Sequence, residues 1–303
     1  MRPRVRAWPS WLLGLCAVAC LTVAQPALGK GLFHASKDPA KVDKSVDGVV
    51  EAVDKALAED RQIDASRLLD TAYANGAQDP RLRLRSGELQ LLRGRFEDAV
   101  QSFTAAEAMA SQKAQAQQGK GVALASLGRS DEALVALDAA VKADPSLWRA
   151  WNALAVERDR RKEWAASETA YAEALKSQAA DATVWNNRGY SRLLQGRYEA
   201  ASGDFIKALE KDPGLSVART NLRLSLALRG DYKRAIAGSG AEDRGSVLNN
   251  AGFAAVLRGD FDQAETLFQQ AIEARGSSYG RAIENLAMVK ALKQPQKTTP
   301  KTP

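Results

Sequence analysis

Thiols, imidazoles and aromatic rings are scarce in this chain, and each scarcity removes a class of function. The 303 residues include two cysteines, Cys16 and Cys20, and one histidine, His34. Both cysteines lie near the amino terminus, so a chain cleaved beyond them has no disulfide, cysteine nucleophile or thiolate metal site. The lone histidine sits in a lysine- and glycine-containing stretch, and neither a glycine-rich phosphate loop nor a nucleophile elbow occurs. Carboxylate pairs such as Glu97 with Asp98 and Asp131 with Glu132 fall at expected helix starts, where they complement the helix dipole. No enzyme activity, catalytic residue, cofactor or metal site is therefore expected.

Aromatic residues make up only 6% of the chain and β-branched residues are few, whereas alanine, leucine, arginine and glutamate are abundant, which favours helix over strand. The formal charge is +7, but Arg2, Arg4 and Arg6 stand at the amino terminus, and without them about +4 remains. Acidic and basic residues interleave elsewhere, with no basic ribbon to track a phosphate backbone, so nucleic acid is not an expected partner.

The same three arginines precede an apolar stretch from Trp11 to Ala24, followed by Pro26 and Ala27-Leu28-Gly29. This is the layout of a cleaved signal peptide over residues 1–29, with the mature chain starting near Lys30. About 14 apolar residues fall short of the roughly 20 that span a bilayer, so no transmembrane segment is expected in the mature chain. A rival reading uses Ala17-Val18-Ala19-Cys20, which is similar to the bacterial lipobox and would make Cys20 a lipidation site. Ordinary cleavage implies an exported, periplasmic protein; lipidation implies a lipoprotein held at the outer membrane.

Beyond a linker at 30–45, the sequence repeats with a period of about 34 residues, in units near 46–79, 80–113, 114–147, 148–181 and 182–215. A small residue recurs in a first helix as Gly87, Gly121, Ala155, Gly189, Gly252 and Ala287. A second small place reads Ala65, Ala99, Ala133, Ser167, Ala201, Ala235 and Ala264, and four residues later comes a bulky one: Leu69, Phe103, Leu137, Tyr171, Phe205 and Phe268. Alternating small and large side chains on one helix face form a packing stripe. Between the helices stand Gly94, Gly128, Gly196, Gly230 and Gly259 as left-handed helix ends, while Asp144-Pro145 and Asp212-Pro213 close units. Asp60 and Lys162 replace the turn glycine in two units, and Arg158 and Arg188 stand at places that are otherwise aromatic or apolar. The segment 216–244 is short, with Gly238-Ser239-Gly240 cutting off its second helix; a full unit at 245–278 and a capping helix at 279–292 follow. The tail 293–303 is lysine, threonine and proline, the composition of disorder.

This pattern resembles the tetratricopeptide repeat over residues 46–292, most fully in 182–215 with Trp185, Gly189, Tyr198, Ala201, Phe205, Ala208 and Pro213. The resemblance implies an all-α fold: a right-handed superhelix, an α-solenoid of helix hairpins, with first helices lining the concave side where such arrays hold peptides or partner helices. Asn187, Asn221, Asn250 and Asn285 occupy equivalent places in the last four units, and Asn152, Asn186 and Asn249 form a second row one residue earlier. Asparagine at these places either grips the backbone of a bound peptide or bonds neighbouring helices. The arginines at 81, 83, 85, 93 and 95 either receive an acidic partner segment or form a solvated face, and Trp148 and Trp151 divide between packing and contact.

Further likeness appears where Trp151-Asn152-Ala153-Leu154-Ala155, Trp185-Asn186-Asn187-Arg188-Gly189, Arg219-Thr220-Asn221-Leu222 and Val247-Leu248-Asn249-Asn250-Ala251-Gly252 succeed one another. This order resembles the TadD family of exported repeat proteins of the Flp, or tight-adherence, pilus machinery. The resemblance implies a protein–protein scaffold in the bacterial envelope, with an outer-membrane secretin or pilus assembly components as partners. The alternative is a generic periplasmic scaffold or chaperone for polysaccharide export or envelope assembly.

Overall fold

The computed structural model describes residues 45–177, 179–275 and 279–294. The expected signal peptide, Cys20, the expected linker up to residue 44 and the tail beyond residue 294 lie outside the described residues. Fifteen α-helices and one 3-10 turn, and no strand, occur among those described. The chain divides into two compact units, one ending at Asn187 and the other starting at Arg188.

The first unit contains α1 (Val46–Ala58) and α2 (Gln62–Ala74), α3 (Pro80–Leu92) and α4 (Phe96–Ala106), α5 (Lys113–Ser126) and α6 (Ser130–Ala143), α7 (Trp148–Arg160) and α8 (Trp164–Lys176), and the first half of α9 (Ala182–Leu194). Side chains start three of these helices: Ser45 Oγ accepts from the Gly48 N–H at 3.1 Å, Asp79 accepts from the Arg81 N–H at 2.8 Å with Pro80 opening the first turn, and Asp181 accepts from the Thr183 N–H at 2.8 Å. Gly94 and Gly196 end first helices with φ of 69° and 72°. Where the glycine is missing, Asp60 and Lys162 take the same left-handed conformation, φ 54° and 60°, so the turn is kept and its strain accepted.

The 34-residue repeat has a packing cause. A Cβ added at Gly87 would stand 2.6 Å from the Phe103 ring, and one at Gly121 2.6 Å from Leu137. The second-helix side chain thus lies directly on the first-helix backbone, and only the smallest residues fit beneath it. All six bulky places, Leu69 to Phe268, are at most 3% exposed.

The second unit contains the rest of α9, α10 (Tyr198–Lys211), α11 (Ser216–Arg229), α12 (Tyr232–Ile236), α13 (Ala241–Arg258), α14 (Phe261–Arg275) and α15 (Gly280–Lys293). The Gly189–Phe205 and Gly252–Phe268 pairs repeat the same contact. α12 has five residues where α10 has 14 and α14 has 15. α13 begins four residues ahead of the sequence-based unit start and is 18 residues long. Ala287 is exposed, unlike the small residues with which it aligns, because no second helix follows α15 among the described residues to cover it.

Candidate functional site

The exposed face of the first helices in the first unit is built of ion pairs that tie one hairpin to the next. Arg81 on α3 reaches Asp47 on α1 at 2.6 Å and its own cap Asp79 at 2.9 Å. One turn on, Arg85 pairs with Asp54 of α1 through Nη2 at 2.9 Å and approaches Glu88 to 3.7 Å. Glu88 keeps 43% of its side-chain surface open to water. The walls around it nevertheless dominate: loss of solvation pushes its carboxyl up to about 7, against the pull of Arg85 and Arg149, and Asp54 adds to the rise. Glu88 on α3 therefore feels charges from both α1 and α7. Arg149 lies over the Trp148 ring at 4.5 Å.

All five arginines of the sequence cluster are engaged within the chain. Arg83 stacks over the Tyr73 ring at 4.5 Å, Arg93 donates to the Gln62 carbonyl at 2.8 Å, and Arg95 pairs with Asp98 at 2.6 Å, while Arg81 and Arg85 hold α1. Trp148 is buried, and Trp151, partly buried, donates Nε1–H to the Pro145 carbonyl at 3.0 Å.

The asparagine rows are brought together across units rather than along them. Asn187 donates to Asn152 at 3.3 Å and accepts from Asn186 at 3.4 Å, and Asn285 donates to Asn249 at 3.0 Å. Each inter-helix bond thus joins a member of one row to a member of the other, because adjacent first helices are staggered. Asn152, Asn186, Asn187, Asn221 and Asn249 are at most 4% exposed, so their amides address neighbouring helices. Asn250 is exposed and Asn285 partly so.

Buried charge replaces the usual apolar contacts at two hairpins. Arg188 and Arg192 of α9 both grip Asp204 of α10, at 2.6 and 2.8 Å, with the Asp204 side chain only 3% exposed. In α7, fully buried Glu157 pairs with Arg160 and accepts from Ser130 Oγ, while the Tyr171 hydroxyl donates to Asp159 at 2.9 Å. Burial and the Asp159 carboxylate together hold the Tyr171 hydroxyl well above its ordinary pKa. Arg158, at its usually aromatic place, bridges Asp138 and Glu163 at 3.4 and 3.2 Å. These groups are paired structurally. No cluster of three or more His, Cys, Asp or Glu suited to a metal ion occurs among the described residues, and no described helix is long and apolar enough to cross a membrane.

Profiles of the tetratricopeptide repeat match residues 55–116, 93–147, 119–156 and 152–216, and a further profile of that repeat matches 245–270. No curated protein matches the sequence. Solved structures similar in fold include a tetratricopeptide repeat protein of Parabacteroides merdae, with 14% identity, TM-score 0.51 and coverage of 80% of this chain and 98% of that one. Another is the C-terminal part of a repeat protein of Cytophaga hutchinsonii, with 14% identity, TM-score 0.57 and coverage of 78% and 99%. A thermophilic repeat protein of Thermus thermophilus matches with 19% identity, TM-score 0.53 and coverage of 60% and 99%. At such identities the likeness shows the fold alone. The overlapping profile matches, unbroken from residue 55 to 216, take in more than half of the sequence, and the chain belongs to the tetratricopeptide repeat family, whose fold is that of a protein–protein interaction scaffold.

Proposed function

We propose that this chain is a non-enzymatic scaffold exported to the bacterial cell envelope, a TadD-like factor that assembles or localises the outer-membrane secretin of the Flp pilus. The observation that carries this reading is the order of the units. Full hairpins are followed by a short one, α11 with the five-residue α12, then by one full hairpin and the capping helix α15. Residues 217–244 fall outside the profile matches, as a departure from the generic repeat should. The basic and apolar amino terminus supports export, and Cys20 supplies a lipid anchor if the lipobox-like site is used. The tetratricopeptide-repeat fold supports binding as the role of the chain.

The test is crosslinking in intact cells, followed by purification of the tagged protein and mass spectrometry of what accompanies it. Enrichment of a secretin supports the pilus role. Recovery of polysaccharide-export or other envelope proteins, with the secretin expressed but absent, keeps the scaffold and overturns the pilus assignment.

A further inference from the structure

The short unit breaks the packing rule that the other units obey. In the full units after the first, a small residue of the first helix stands 16 positions before a bulky one, as Gly189 lies under Phe205 and Gly252 under Phe268. The same spacing in α11 gives Arg223 at the small place and Ser239 at the bulky one. The second helix that should carry the bulky side chain ends at Ile236, about two and a half turns early by comparison with α10 and α14. The added first turn of α13 does not replace it, since Ala241, Glu242, Asp243 and Arg244 are all exposed.

The consequence shows on α11. Leu84, Asn152, Asn186 and Asn249, three residues before the small place, are 1%, 1%, 2% and 4% exposed and Gln118 is partly buried, whereas Thr220 at the same place is exposed. Val217, Leu222 and Leu224 are partly buried, the two leucines against core side chains, as Thr183, Arg188 and Tyr190 are partly buried at the same places of the complete unit. Arg223, at the small place, is itself partly buried, with its guanidinium donating to the Gly238 carbonyl at 3.3 Å. No carboxylate among the described residues pairs with it, in contrast to Arg81, Arg85, Arg95, Arg158 and Arg188. Arg219 likewise donates to a carbonyl, that of Pro213. Across the short unit, 216–244, six basic residues face three acidic ones, of which Asp231 is already shared by Arg229 and Arg234. A guanidinium has five donors in a fork that matches a carboxylate, and partial burial strengthens such a pair.

We propose that the short unit is completed in trans by an acidic amphipathic helix of a partner protein. The helix lies where the missing turns of α12 would run, sets a carboxylate on Arg223 and covers the apolar side chains of α11. The inference rests on the scaffold reading and names the place and chemistry of one partner contact.

The test places the photocrosslinking residue p-benzoylphenylalanine at Ser239 of the full-length chain in its native cell, with a second version carrying it at Arg149 on the first-helix face of the other unit. Expected from Ser239 is one dominant segment of a different protein, rich in Asp or Glu with helical apolar spacing. Its yield should fall about tenfold with Arg223→Glu and persist with Arg223→Lys. Unchanged circular dichroism and melting of Arg223→Glu would assign the loss to docking rather than folding. Crosslinks only to a second copy, crosslinks to a segment without carboxylates, or a yield indifferent to Arg223→Glu would each overturn the proposal. Crosslinks from Arg149 with none from Ser239 would overturn it and leave the scaffold standing, while silence at both positions would count against both.

Discussion

At the scale of single residues, the glycine under the ring carries the most weight. A methyl group at Gly189 would meet the Phe205 ring at 2.8 Å and Asp204 Cβ at 3.1 Å, and both neighbours are buried. Gly189→Ala should therefore destabilise the chain by about 1–3 kcal/mol through overpacking, even though alanine is the better helix former. A chemical-denaturation midpoint unchanged from wild type would show that the ring can yield. Glu88 makes a second prediction, in pH. Its carboxyl titrates near 7 in the folded chain against an ordinary 4.5. Between those values the unfolded chain releases this proton while the folded chain retains it, so the unfolded state gains and stability falls as pH rises from about 4.5 to 7. Glu88→Gln should remove that slope and melt above wild type at pH 8, with no gain at pH 4. Equal melting temperatures at both pH values would mean that water in the groove solvates the carboxylate fully.

At the scale of elements, the helix hairpin was legible in the sequence because its cause is local and periodic. Ala201, Phe205 and Ala208 announce a stripe, and Gly196 announces the turn before it. One thing was hidden. Asn187 and Asn221 align in sequence with Asn250, but alignment counts residues along a chain and does not see the stagger between neighbouring helices, which sets Asn187 against Asn152 and Asn285 against Asn249. Arg223 could have been found, since the interval from Gly189 to Phe205 points to it in α11. That α12 stops before a ring could arrive was legible too, in the Gly238-Ser239-Gly240 that cuts the second helix off. The amides separate the two roles experimentally. Asn187→Ala leaves the buried Asn152 amide without this partner and should cost on the order of 1 kcal/mol of stability. Asn250→Ala, on an exposed side chain, should leave stability within about 0.5 kcal/mol of wild type and act on partner binding instead. If Asn187→Ala melted as wild type and only lost binding, the buried row would be a peptide grip after all.

At the scale of the whole molecule, the repeat makes stability a sum of hairpins and their nearest-neighbour contacts rather than one cooperative quantity. Phe103 shows how far a single disturbance should travel: it lies under both Gly87 of α3 and Gly119 of α5, so a clash at Gly87 loads three helices, α3, α4 and α5, and reaches α13 and α14 through no shared side chain. Native-state hydrogen exchange on Gly87→Ala should accelerate amides in α3–α5 by about tenfold or more, while those of α13 and α14 exchange as in wild type. The wild-type chain should itself exchange fastest at α12, whose five residues are too few to hold a helix without neighbours. Uniform acceleration along the chain would indicate global two-state unfolding and remove the basis for treating the short unit as locally adaptable. Acceleration confined to α3–α5 would mean that the short unit can be ordered by a partner with the distant hairpins undisturbed, as a docking place within a scaffold requires.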